Sequence, residues 1–204
     1  MRQALRPLYG SLLPEAGCDE AGRGCLAGPV TAAAVILPEK PDPILSKTLN
    51  DSKQLTAIKR QDLKGLIQEQ ALAYSVAHVD HHVIDKINIL QASILAMHEA
   101  LDKLSVTPAC ILADGKHFNV YKDIPHVCII RGDGRYLSIA AASVLAKVER
   151  DELMAALHQQ YPEYTWDRNK GYPTPAHRNA ILSHGLSPYH RKSFKTVMQQ
   201  QLPL

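Results

Sequence analysis

Residues 109 to 160 leave this chain few ways to fold. Two short apolar runs, ACILADG and HVCIIRGDG, each close on an aspartate beside glycine, and the segment LSIAAASVLAKVERDELMAALHQQ then repeats apolar positions at helical spacing. Runs that short and that apolar read as buried strands, which need helices over both faces of their sheet. The earlier chain supplies the rest. GCDEAG and VTAAAVIL (Val30 to Leu37) read as two strands joined by a Gly-rich turn, and ALAYSVAHV as a third. TAIKRQDLKGLIQEQ spaces Ile58, Leu63 and Leu66 or Ile67 as an amphipathic helix, and HHVIDKINILQASILAMHEALDKL carries Ile84, Ile87, Leu90, Ile94, Met97 and Leu101 every three or four residues. The pattern predicts an α/β fold, a mixed five-stranded sheet flanked by helices.

Between the second strand and the first long helix, LPEKPDPILSKTLNDSKQL has three prolines and several turn formers, so a loop with one short helical turn is expected, presenting Lys53 near the next helix. Beyond Tyr161 the chain turns proline-rich and aromatic. One short helix is expected there, with Thr174 as its cap and Pro175 in its first turn. This divides the chain into a core over 1–160, with an arm over 1–12, and a small helical C-terminal extension over 161–204.

Composition sets the outer limits. At 204 residues, 46% hydrophobic and 21% charged, the chain suits one folded domain rather than a disordered or fibrous one. A net charge of +3 permits a polyanionic partner without requiring one. The N-terminus lacks an apolar signal-peptide core, and no stretch matches a membrane-spanning helix. Cys18, Cys25, Cys110 and Cys128 are scattered with no C-x-x-C pair, which argues against a zinc knuckle or disulfide framework and for a reducing cytoplasm.

Against that ordinary background four acids stand out. Asp19 and Glu20 are adjacent inside an apolar run, Asp114 precedes Gly115, and Asp133 sits between Gly132 and Gly134. Each site terminates a strand-like run, where a rigid frame can aim carboxylates into one cleft. Aspartate beside glycine is also common in ordinary turns, so Asp114 or Asp133 alone says little. Charge at Asp19 and Glu20 near a core needs compensation. A group of carboxylates without thiols suits hard divalent cations such as Mg²⁺ or Mn²⁺, and repulsion among the acids is itself relieved by a cation. Two such ions about 4 Å apart support in-line displacement at a phosphate.

Other clusters are weaker. HVDHHVID gathers His78, Asp80, His81 and His82, but strand alternation separates neighbours, and Asp80 suits a helix cap better than a metal. Lys53, Lys116, Lys147, Lys170, Arg178, Arg191 and Lys192 are candidates for phosphate contact, and any of them is equally at home as a solvated surface charge.

The segments CDEAGRG…LAGPV, NDSKQL, INIL, LADG, RGD…SIAAASVLAKVERD, KGYPT…H and HRKSF occur in an order that resembles bacterial ribonuclease HII, the type 2 ribonuclease H, over about 17–194. The resemblance implies a ribonuclease H-like sheet with a helical C-terminal extension. It implies endonucleolytic cleavage of the RNA strand of RNA/DNA hybrids and incision at single ribonucleotides in duplex DNA, with Asp19, Glu20, Asp114 and Asp133 holding two divalent ions, Mn²⁺ or Mg²⁺. Gly22, Arg23 and Gly24 then lie against the ribose and scissile phosphate and read the 2′-hydroxyl through backbone atoms. Tyr172, of GYPT, stacks beside the junction. Cys25 departs from the family's common proline and is expected to soften that loop. No clamp-binding peptide is evident after HRKSF, and a monomer acting on hybrid and ribonucleotide-containing duplex is expected, with no membrane partner.

Rival readings stay within reach of the same residues. A junction resolvase of similar fold has no reason for a Gly-Arg-Gly reader beside the acids. A non-catalytic hybrid binder has no use for four acids facing phosphate. Ribonuclease HIII carries an extra N-terminal domain that does not fit this pattern.

Overall fold

The computed structural model describes residues 4–50 and 56–195. β1 (Glu15–Ala21) and β2 (Val30–Ile36) pair antiparallel, and β3 (Ala73–Val79) extends the sheet antiparallel to β2. On the other side β4 (Cys110–Asp114) and β5 (His126–Ile129) run parallel to β1, giving the order β3-β2-β1-β4-β5. The sheet is therefore mixed and five-stranded, as the sequence predicts. β1 is central because its short apolar residues are buried on both faces, whereas the edge strand β3 alternates buried Ala73, Ser75, Ala77 and Val79 with more open positions.

α3 (His81–Asp102) covers one face through Ile84, Ala92, Ala96, Met97 and Leu101. α4 (Leu137–Gln160) crosses the other, flanked by α1 (Pro43–Asn50) and α2 (Ala57–Gln70). Asp80 caps α3 as expected, its Oδ1 accepting from the His82 and Val83 amides at 2.7 and 3.0 Å. Thr56 caps α2 by accepting from the Lys59 amide.

Three features differ from the sequence expectation. α1 is a full helix rather than one turn. Asp42 accepts from the Ile44 amide at 2.6 Å, Pro43 occupies the first position, and buried Leu45 and Leu49 give the helix an inner face. α3 is interrupted at Asn88, whose backbone lies at φ 66° and whose Oδ1 caps the restarted helix through the Leu90 and Gln91 amides. β5 stops at Ile129, so Asp133 does not terminate a strand. It lies in the 3-10 turn Gly132–Gly134 that leads into α4.

The chain beyond α4 folds back as α5 (Trp166–Asn169) and α6 (Pro175–His184), with Thr174 accepting from the His177 amide at 3.2 Å as the expected cap. Trp166, Tyr164 and Ile181 pack with Met154 of α4 and with Leu26 and Ala27 of the β1–β2 connection. Asp85 of α3 accepts from the Lys192 and Ser193 amides, both at 2.9 Å, and from the Ser193 hydroxyl, which fastens the last described turn to the core. Among the described residues no helix is long and apolar enough to cross a membrane, and the four cysteines are unpaired.

The tightest junction in the fold is at Gly17. An added Cβ there lies 2.2 Å from the Ser138 carbonyl carbon and 2.4 Å from the Ile139 nitrogen, so β1 and the first turn of α4 touch through backbone. This contact sets where Asp19, two residues on and on the same face, meets α4. Gly17→Ala is expected to cost at least about 2 kcal/mol by overpacking. Thermal unfolding checks this, and an unchanged Tm contradicts the close approach.

Candidate active site

Asp19 is the most constrained of the four acids. β1 carries it to the centre of the sheet, where it is 6% exposed. Its Oδ1 accepts from the Glu20 amide at 2.7 Å, and Ser143 of α4 adds a side-chain hydrogen bond. Burial first, then the charges of Glu20 and Asp114, hold its carboxyl well above the usual aspartate range despite those bonds. Glu20 is also shifted up by burial, offset by Arg23 and reinforced by Asp114. Its Oε1 meets Arg23 Nη1 at 3.0 Å. Asp114, at the end of neighbouring β4, accepts from the Gly132 amide at 2.6 Å. An added Cβ on Gly132 lies 2.5 Å from Ile139 Cδ1 and 3.3 Å from Asp114 Oδ1, so a side chain there requires Ile139 to move. The same turn carries Asp133, one residue further.

Asp19, Glu20 and Asp114 therefore share one electrostatic environment, and the Gly132–Gly134 turn brings Asp133's backbone beside them. Among the described residues, no three His, Cys, Asp or Glu side chains stand together as a ready-made metal-holding group. The two observations are compatible. Glu20 is engaged by Arg23 and Asp114 by the Gly132 amide, so these oxygens are shared with protein donors. The donor chemistry fits a hard cation: all four are carboxylates, and the charges of Glu20 and Asp114 on Asp19, and of Asp114 on Glu20, raise the cost of ionising those two, which a divalent ion reverses.

The connection between β1 and β2 is held from beneath by two buried arginines. Arg150 of α4, 1% exposed, donates to the carbonyls of Pro29, Lys170 and Ala27 at 2.9, 2.7 and 3.0 Å. Arg191, fully buried, donates to Gly28, Arg23 and Pro29, each at 3.0 Å. Burial pushes Arg191 down to about 10, so it stays charged at neutral pH. The backbone of 23–29 is thus anchored carbonyl by carbonyl. Gly22, at φ +96°, lies against Arg150, whose Nε is 2.0 Å from where its Cβ would be. Gly24 is exposed, and an added Cβ there meets nothing within 4 Å, which leaves its backbone open to an approaching ligand. Arg23 is exposed apart from its pairing with Glu20.

Tyr172 stands on the turn next to this loop. Leu26 donates to the Gly171 carbonyl at 2.8 Å, and the Cys25 thiol donates to Lys170 at 3.5 Å and also bonds the Tyr172 phenol. The Cys25 amide closes the triplet's turn onto Gly22 at 3.3 Å, a bond that proline cannot make. Cys25 thus ties the loop to Tyr172. The ring of Tyr172 is 39% exposed, with Lys147 Nζ 5.7 Å from its centroid and that ammonium paired to Asp151 at 2.6 Å.

The remaining expected residues disperse. Lys53 falls outside the described residues. Arg191 is a buried structural cation rather than a phosphate contact, and Arg178 donates to the Pro173 carbonyl. The histidine cluster splits, with His78 bonded to Thr31 Oγ1 at 2.9 Å and His81 in tilted ring contact with His82 and Tyr189. Arg150 was not singled out by the sequence. Its signal was a charge on the apolar stripe Ala142, Ala146, Met154, where a side chain at helical spacing points inward.

Comparison with known proteins places this geometry. The family model for ribonuclease HII matches residues 16–197. A ribonuclease HII of Bacteroides thetaiotaomicron is 56% identical over 200 residues, 98% of each chain, and one of Parabacteroides distasonis is 57% identical over 190 residues, 93% of this chain and 94% of that one. Among solved structures, ribonuclease H2 of Pyrococcus horikoshii superposes with a TM-score of 0.77 at 27% identity, covering 91% of this chain and 95% of that one. The Archaeoglobus fulgidus ribonuclease HII, solved with PCNA, also gives 0.77, at 25% identity over 93% and 98%. A ribonuclease HIII solved with Mn²⁺ shares the fold at 0.68 and 20% identity, over 93% of this chain and 68% of that one. With a family model across most of its length and relatives above half identity, the chain belongs to the ribonuclease HII family.

Proposed function

We propose that the chain, an endoribonuclease of RNA/DNA hybrids by its family, hydrolyses the phosphodiester on the 5′ side of a ribonucleotide with Asp19, Glu20, Asp114 and Asp133 as its metal-holding carboxylates. Water adds to phosphorus, the 3′ oxygen leaves, and the ends are a 3′-hydroxyl and a 5′-phosphate. Single ribonucleotides in duplex DNA are substrates alongside continuous hybrids. The observation that carries this reading is the buried, charge-opposed Asp19 on the strand that ends in a backbone-anchored Gly-Arg-Gly turn, whose Arg23 and Gly24 are exposed.

Two divalent ions, Mn²⁺ or Mg²⁺, would activate water and offset charge on the leaving oxygen when bound at these carboxylates. Asp19, held by the Glu20 amide and Ser143, would be one of the residues holding them. Glu20 can exchange its Arg23 partner for a cation, which frees the Arg23 guanidinium for a phosphate. Gly24 exposes backbone where the ribose lies, and Gly22, buried against Arg150, holds the turn at its base. Because the Arg23 carbonyl is already occupied by Arg191, the loop meets the sugar in a preset conformation. Tyr172 offers a half-exposed ring for stacking beside the scissile step. The division into a 1–160 core and a C-terminal extension assigns Tyr172 and Arg191 to the latter.

Asp19→Asn separates function from stability. Cleavage should fall to background, while Tm stays level or rises, because the substitution relieves burial of a charge opposed by two others. Adding Mn²⁺ should raise the Tm of the unaltered protein by several degrees but not that of Asp19→Asn. Near-normal turnover by the variant, or an equal metal-induced shift in both proteins, contradicts the assignment.

A further inference from the structure

Behind Tyr172 lies a chain of buried rings whose protons follow from the donors around them. Trp166 Nε1, which is always a donor, lies 3.0 Å from His177 Nε2, so that nitrogen carries no proton. His177 is then the Nδ1–H tautomer, and this proton is donated to the Tyr172 carbonyl at 2.9 Å. His190 Nδ1 receives the Ser187 amide at 2.9 Å and lies 2.8 Å from the Ser187 hydroxyl, so its proton is on Nε2 and points at His177 Nε2, 3.1 Å away. Both rings are fully buried. Burial and the neighbouring ring push His190 down to about 4, consistent with two neutral imidazoles.

We infer that His177 is a positioning residue for the reaction: its fixed tautomer holds the Tyr172 carbonyl and thereby sets the angle at which the Tyr172 ring faces the ribonucleotide. This rests on the reading of Tyr172 as the stacking residue. The Tyr172 amide donates to the Asn169 carbonyl at 2.9 Å within its own turn, and its phenol bonds Cys25. Its carbonyl is shared between His177 and the Thr174 amide at 2.8 Å, and its side chain is half in solvent. The Thr174 bond closes a local turn, whereas the His177 bond ties that turn to Trp166, His190 and Ser187, and so to the packed C-terminal core. The residue that orients the reader is therefore specified from the protein interior.

Two conservative substitutions divide the ring's two roles. Gln places its amide near the Nε2 position and can still accept from Trp166 and His190, but it offers nothing to the Tyr172 carbonyl. Asn places its amide near Nδ1 and can donate to Tyr172, but it abandons Trp166 and His190. Tm, KM and kcat are measured for His177→Gln, His177→Asn and Tyr172→Ala on a duplex with one ribonucleotide and on a continuous RNA/DNA hybrid. His177→Asn should lose more Tm yet keep KM near that of the unaltered protein. His177→Gln should keep more Tm yet raise KM about tenfold on the single ribonucleotide, with a smaller change on the continuous hybrid. The double variant His177→Gln with Tyr172→Ala should be no worse than Tyr172→Ala alone. A KM that follows Tm across the two histidine variants, or a normal KM for His177→Gln while Tyr172→Ala is impaired, overturns the inference and leaves the Tyr172 reading standing. A Tyr172→Ala variant unchanged on the single ribonucleotide overturns both.

Discussion

Two guanidinium groups, Arg150 and Arg191, are buried and pair with backbone carbonyls in every hydrogen bond described above. A buried cation with neither water nor partner is prohibitively costly, so each arginine has to collect carbonyl oxygens, and the carbonyls nearest are those of residues 23 to 29 and 170. The dependence runs both ways. The loop has no regular ladder of its own and takes its shape from the forks beneath it, while the forks are tolerable only if the loop keeps that shape. The Gly-Arg-Gly turn, the Tyr172 turn and the last described segment are fixed to one another at this point. The C-terminal elements are accordingly part of the site's frame and not a cover laid over it.

The acids obey the opposite logic. Asp19, Glu20 and Asp114 are placed by strand ends and a glycine turn, where burial and neighbouring acids work against ionisation of Asp19 and Glu20. The fold tolerates this because β1 and α4 meet through backbone at Gly17, a contact independent of the acids. Stability spent on holding carboxylates together is a mark of chemistry, since a structural role would have chosen a neutral side chain. Positive charge under the loop and negative charge beside it thus sit on the two sides of one short connection.

Much of this was legible in the sequence because it obeys local rules. The five strands, the long helices, the Asp80 and Thr174 caps and the placement of Asp19, Glu20 and Asp114 at strand ends follow from periodicity and capping chemistry. What escaped depended on partners distant in the chain. α1 formed because Leu45 and Leu49 found a core that its prolines do not advertise. Asp133 was read as a strand end, whereas the strand stops at Ile129 once β5 runs out of neighbour to pair with. Arg191 looked like a phosphate contact because a terminal arginine in HRKSF usually faces solvent, and nothing local shows that three carbonyls await it. The tautomers of His177 and His190 are set by Trp166 and Ser187, which only the folded chain brings together.

The central claim is that a carboxylate site cuts beside a sugar that the adjacent backbone loop has recognised. It is tested most directly by incubating the protein, with Mg²⁺ or Mn²⁺, with two duplexes identical except for one 2′-hydroxyl. The duplex carrying the single ribonucleotide should be incised on its 5′ side to leave 3′-hydroxyl and 5′-phosphate ends, and the all-DNA duplex should remain intact. Equal cutting of both, or no cutting of either with both metals, would contradict the account.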